Sequence, residues 1–142
     1  LGITRAPVPF NTPKVEHILG LGSIFQELLD SGRLQFFLYE PKDEFFPGRR
    51  KVYAPDAFFY LQGAGAFLLE YQRSPLSSNR WAAKWAVASE FFEGGYYKKA
   101  SWQRGKIAVK PQILVIAEQS PEQVQGESGL KLIVKNSIKN VF

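Results

Sequence analysis

The hydrophobic positions of this 142-residue chain group into five short runs and two longer stretches at helical spacing. After Pro13, Val15, Ile18, Leu19, Leu21, Ile24, Phe25, Leu28 and Leu29 recur every three or four residues. That period predicts a helix capped by Asn11 or Thr12 and ended at Gly32. Gly20 and Gly22 cost this helix roughly 1 kcal/mol each relative to Ala, and leave room either for close packing or for a kink. Leu34 to Glu40 reads as an apolar strand, broken by the segment from Pro41 to Pro47.

The stretch from Tyr53 to Arg73 reads as two apolar strands joined by the turn Gln62-Gly63-Ala64-Gly65. Both strands are apolar on both faces, which predicts a place at the centre of a sheet covered by helices. Ser77, Ser78 or Asn79 then caps a second helix, which carries Trp81, Trp85, Ala88 and Phe92 on one stripe and stops at Gly94 and Gly95. Ile113 to Ala117 is a continuous apolar run of the buried parallel kind. Ser120 to Ser128 is polar, a short helix or loop, and Leu130 to Val134 makes a last strand. These elements predict an α/β fold with a central mixed sheet of four to five strands flanked by helices. Residues 1–13, with Pro7, Pro9 and Pro13 and no periodicity, read as a linker or arm from a missing N-terminal domain, leaving 14–142 as the α/β domain.

Single charges fall where such a core does not want them. Asp56 opens the first strand of the hairpin. Glu70 and Gln72 lie two residues apart in the second, so both project from one face of the sheet. Buried carboxylates need a cation, a proton or a basic side chain beside them. Lys84, on the helix that follows, can bring an ammonium group to this cluster, and Glu40 ends the strand before it. His17, in the first turn of the first helix, is either a partly buried histidine held by a hydrogen bond or a member of the acidic site. Glu16 and Glu27 read as solvated helical charges.

Composition narrows the chemistry. The chain has no Cys and one His, which excludes disulfides, thiolate sites and multi-histidine zinc. An oxygen-ligand ion such as Mg²⁺, held by Asp56 and Glu70, is the metal that remains. The absence of Cys agrees with a cytoplasmic protein, and no apolar run is long enough to cross a bilayer. A formal net charge of +5 favours polyanionic partners. Arg49, Arg50 and Lys51 cluster before Asp56, as solvated charges or as phosphate contacts, and Arg73 follows Gln72. Between Tyr96 and Lys110, Lys98, Lys99 and Arg104 alternate with Tyr96, Tyr97 and Trp102. That pattern suits single-stranded nucleic acid and equally suits an ordinary surface loop.

The order helix, three strands, helix, strand, with Pro55-Asp56 and then Glu70-Tyr71-Gln72, resembles the core of the PD-(D/E)xK nuclease superfamily. Gln72 stands where that motif has Lys. His17 heading a helix, Glu40 ending a strand, the Arg-rich approach to Pro55-Asp56, Glu70-x-x-Arg73 and Lys84 together look like the narrower replication-relaxation family of plasmid, phage and other mobile-element proteins. The resemblance covers about residues 15–117 and implies a restriction-endonuclease-like core, usually preceded by a winged-helix domain. It also implies DNA as the partner.

Three functions follow as expectations. The first is a DNA-associated core domain acting in DNA binding, replication or its regulation. The second is a Mg²⁺-dependent nuclease or nickase with Asp56, Glu70, Gln72, Lys84, Glu40 and His17 as its catalytic set. The third is a non-catalytic dimerisation domain that forms a homodimer.

Overall fold

The computed structural model of the chain describes residues 12–44, 52–127 and 129–142. In chain order its elements are α1 (Thr12–Asp30), β1 (Leu34–Tyr39), β2 (Asp43–Glu44), β3 (Val52–Tyr53), β4 (Ala57–Leu61), β5 (Gly65–Gln72), α2 (Ser78–Glu93), β6 (Gln112–Ala117) and β7 (Leu132–Lys135). The fold is α/β, with one mixed five-stranded sheet in the order β1-β4-β5-β6-β7 and a helix on each face. β1, β4 and β5 form an antiparallel meander, and β5, β6 and β7 run parallel.

β5 is the middle strand, and its alternation sorts the core into two layers. Ala66 and Leu68 face α2, where they pack with Trp81, Trp85, Ala88 and Phe91. Phe67, Leu69 and Tyr71 face α1 and pack with Leu21, Ile24 and Leu28. Both layers are apolar because the sheet is covered on both sides, as the continuous apolar run of β5 implies. Ser77 caps α2 by accepting a hydrogen bond from the Arg80 amide at 3.3 Å. The hairpin between β4 and β5 turns through Gly63 at φ 81°, where a side chain is disfavoured.

Several boundaries differ from the sequence reading. Residues 1–11 of the expected arm lie outside the described residues, and Thr12 and Pro13 belong to α1, whose first turn tolerates a proline. The expected strand from Tyr53 is divided in two. β3 pairs with β2, and the chain bends at Ala54-Pro55-Asp56 before β4, since Pro55 has no N–H to give a ladder. Glu40 falls one residue beyond β1, with φ at 48°, outside the strand region. The basic cluster Arg49, Arg50 and Lys51 lies outside the described residues. Among the described residues no helix is long and apolar enough to cross a membrane.

The two helical glycines have separate explanations. A Cβ on Gly20 would collide with the hydroxyl end of the Tyr71 side chain, so this glycine is what lets α1 come down onto β5. Gly22 has open space around it. Accordingly, Gly20→Ala should lower stability by about 1–3 kcal/mol as Tyr71 is displaced. Gly22→Ala should be neutral or add up to about 1 kcal/mol from helix propensity. Denaturant unfolding of both variants checks this, and the reverse order would contradict the packing described.

Candidate functional site

The polar residues gather where β5 and β6 end. By strand alternation Glu70 shares the α2-facing side with Ala66 and Leu68, deep enough to be only 2% exposed. It is the single buried charged residue among those described. α2 presents its inner face through Trp81 and Trp85, which stack at 5.3 Å between centroids, and Lys84 lies between them in sequence. From there Lys84 Nζ donates to Glu70 Oε1 at 3.0 Å. The Tyr53 hydroxyl reaches Glu70 Oε2 at 3.5 Å, a long contact at the limit of hydrogen bonding.

Burial pushes the Glu70 carboxyl up to about 7. The Lys84 ammonium pulls it down and the nearby Asp56 charge pushes it up, so burial prevails over the ion pair. The Tyr53 phenol is driven well above its ordinary value, first by burial and then by the Glu70 charge.

Asp56 is held by backbone on both sides. Its N–H donates to the Leu69 carbonyl and its carbonyl accepts from the Glu40 amide, each at 2.9 Å. Its carboxylate accepts from the Tyr71 amide at 2.7 Å through Oδ2 and contacts His17 Nε2 at 3.1 Å through Oδ1. The hydrogen bond to Asp56 raises the His17 pKa above its ordinary 6.5, against the opposing effect of burial. Glu40 adds to the rise and Lys84 opposes it, so three charged groups act on one imidazole.

A second network joins the helices to the strand ends. The Tyr71 hydroxyl donates to Glu118 Oε2 at 2.7 Å, just past β6. Arg73 pairs with Glu16 of α1 and, through Nε, with Glu118 at 3.4 Å. The His17 ring lies 5.3 Å from that of Tyr71. Glu16, read from sequence as a solvated charge, therefore takes part in an ion pair across the fold. Glu27 likewise pairs with Lys139 at 3.3 Å.

The structure thus brings His17, Glu40, Asp56, Glu70 and Lys84 into one electrostatic neighbourhood. Gln72, half-buried, lines a small hollow with Trp81 and Ala117 next to it. Arg73 is occupied by two carboxylates. Sequence reasoning did not find Tyr53 and Glu118. Tyr53 stands three positions before Asp56, where an aromatic reads as core, and Glu118 follows a buried strand, where a carboxylate at a parallel-strand terminus is the available signal.

As arranged, the two carboxylates at the site are engaged by protein groups. Each oxygen of Asp56 and of Glu70 already faces an N–H or O–H donor, and the cations there are an ammonium and an imidazole. Among the described residues no group of three or more His, Asp and Glu side chains is placed to hold a metal. What the arrangement can do is hold charge in balance and exchange protons near neutral pH.

The segment after α2 also differs from its sequence pattern. Trp102 is buried, stacked on Phe58 at 4.5 Å, and Tyr96 and Tyr97 pack against the α2 layer. Lys98, Lys99 and Arg104 remain exposed. Its rings serve the core and its cations face solvent.

Compared with protein-family models, curated proteins and solved structures, the chain shows no match in any of the three.

The pH response follows from Glu70 and His17. A carboxyl whose pKa rises on folding holds its proton more tightly in the native state, so stability falls as pH climbs from its ordinary 4.5 to about 7. That fall is on the order of 3 kcal/mol for Glu70. The raised His17 pKa acts in the same direction, its contribution full below 6.5 and lost as pH passes the raised value. Stability should therefore decline between pH 5 and 8, and Glu70→Gln should flatten most of that decline. Lys84→Met should cost about 2–4 kcal/mol at pH 8, where Glu70 is charged, and much less at pH 5, where it carries its own proton. Thermal or urea unfolding across the pH range checks both, and an equal Lys84→Met penalty at the two pH values would refute the coupling.

Proposed function

We propose that this chain is the DNA-associated core domain of a replication-relaxation-type protein, acting in the cytoplasm on plasmid- or phage-type DNA in its binding, replication or control. In this reading its nuclease-like site no longer cleaves. The observation that carries the reading is the buried Glu70 carboxylate bonded by Lys84 at 3.0 Å, with Asp56 engaged by His17 at 3.1 Å. A catalytic pair of acids is here an internal charge balance. The antiparallel β1-β4-β5 meander, joined through α2 to a parallel β6, supports the restriction-endonuclease-like view of the fold. Free surface cations and a net charge of +5 support a polyanionic partner.

One observation favours Mg²⁺-dependent strand cleavage as the second reading. Asp56 and Glu70 lie close enough for the Asp56 charge to act on the Glu70 carboxyl.

The same experiment separates the two. The protein is incubated with supercoiled plasmid in Mg²⁺ or Mn²⁺, and its affinity for a labelled DNA duplex is measured over a salt series. The expected outcome is no nicking, salt-dependent binding, no rise in melting temperature on adding Mg²⁺, and an affinity that Asp56→Ala changes less than about threefold. Metal-dependent nicking lost in both Asp56→Ala and Glu70→Ala would establish the second reading instead. No binding to DNA at low salt would overturn the first.

A further inference from the structure

Where on the molecule would DNA lie? The cations at the acidic site are mostly occupied: Lys84 by Glu70, His17 by Asp56, Arg73 by Glu16 and Glu118. Another set is not. Lys98, Lys99, Arg104, Lys106, Lys110 and Lys131 are all exposed, and none of them forms an ion pair among the described residues.

Topology gathers five of these at the opposite end of the sheet, with Lys106 in the loop that joins Arg104 to Lys110. Lys110 precedes β6 and Lys131 precedes β7. The two strands run parallel with Ile113 beside Leu132, so both lysines stand at the strand starts. They line one groove of about 390 Å³ with Phe92 from the end of α2, and Lys110 Nζ sits 5.8 Å from the centre of that ring. Lys98 and Lys99 follow α2 directly, in the turn Tyr96–Lys99. The Arg104 guanidinium lies 4.0 Å over Phe36 and borders a groove with Ala66, near the start of β5.

Two internal rulers give the separation from the acidic site. Glu70 is level with Val115 on β6, five residues beyond Lys110, or roughly 16 Å of strand. Along α2, Lys84 and Phe92 are eight residues apart, about 12 Å of helix.

We infer that the strand-start end, bearing Lys98, Lys99, Arg104, Lys106, Lys110 and Lys131, is the surface that binds the nucleic-acid backbone, and that the acidic site faces away from it. This rests on the DNA-binding reading above and specifies which surface does the binding. The partner is duplex DNA, gripped through its phosphates. Base stacking on a single strand needs exposed rings, whereas Trp102 is buried and Tyr96 and Tyr97 pack inward. Glu93 is exposed and its carboxylate approaches Gly129, which lines the Lys110–Lys131 groove, so this acid opposes the contact.

The test uses the whole chain and fluorescence anisotropy with a labelled duplex and a single strand of equal length. Circular dichroism and melting check that each variant folds. The paired reversals Lys98→Glu with Lys99→Glu, and Lys110→Glu with Lys131→Glu, should each weaken duplex binding by about tenfold or more. Each should also reduce the slope of log affinity against log salt by about one for every phosphate that is no longer neutralised. Glu93→Gln should tighten binding. Lys42→Glu with Lys135→Glu, which alters exposed lysines outside this surface, should change affinity less than about threefold.

If duplex affinity is instead indifferent to the strand-start reversals and falls with Lys42→Glu and Lys135→Glu, the location is wrong while DNA binding stands. Preference for the single strand would overturn the phosphate-backbone mode. Absence of binding by the unmodified protein would overturn the DNA reading itself, and this inference with it.

Discussion

A carboxylate buried at the middle of a sheet constrains everything around it. Glu70 lies on the strand with a neighbour on each side and a helix over each face, so water cannot solvate it. Desolvation of a charge costs several kcal/mol unless a partner of good geometry replaces the solvent. The partner must come from α2, because Glu70 points that way, and Lys84 reaches it only if α2 is held at the right height and rotation. Trp81 and Trp85 fix both. Their rings fill the layer below, and the Trp85 indole N–H donates to the Gln125 carbonyl at 2.6 Å, tying the helix to the loop before β7. The compensation is incomplete, since burial still leaves the carboxyl titrating near 7.

Tyr71 makes the site inseparable from the fold. Its amide bonds Asp56, its hydroxyl bonds Glu118, and its ring lies against His17 and the Cβ-less face of Gly20. One residue thus sets the approach of α1, the position of the Asp56 carboxylate and the anchor for the outer network of Glu16, Arg73 and Glu118. A change at Tyr71 would alter all three together, so loss of function there would not by itself identify a catalytic role.

The features legible in sequence were those with a short period. Alternation placed Glu70 and Gln72 on one face, helical spacing placed Lys84 near them, and unbroken apolar runs marked β5 and β6 as covered strands. Less legible were contacts set by how distant segments meet. Arg73 joins Glu16 and Glu118 only because α1 crosses the ends of two parallel strands, a relation no local window contains. The aromatics after α2 illustrate a second limit. Alternating rings and cations look alike whether the rings face a ligand or the core, and Phe58 decides the matter by stacking on Trp102 from a strand over forty residues earlier in the chain. Pro55 carried its signal openly, yet the hydrophobicity of Tyr53 to Leu61 masked the break that a missing N–H imposes.

If the proposed DNA contact holds, the charge distribution also explains how an acidic site and a polyanion would share one small domain. A paired charge has a field that falls off quickly, because the opposite charge lies about one hydrogen bond away. An unpaired one acts over a Debye length of about 8–10 Å in physiological salt. The acids near the ends of β5 and β6 are largely paired, and roughly 12–16 Å of helix or strand separates them from the free lysines at the other end. A phosphate approaching Lys110 and Lys131 therefore experiences those cations with little repulsion from Asp56 or Glu70. Had the same acids been left unpaired, or placed beside the strand starts, they would have cancelled the attraction. Lys84 thus has a consequence beyond the stability of α2: by neutralising Glu70 inside the fold, it leaves the net positive charge of the domain to be expressed at the opposite end.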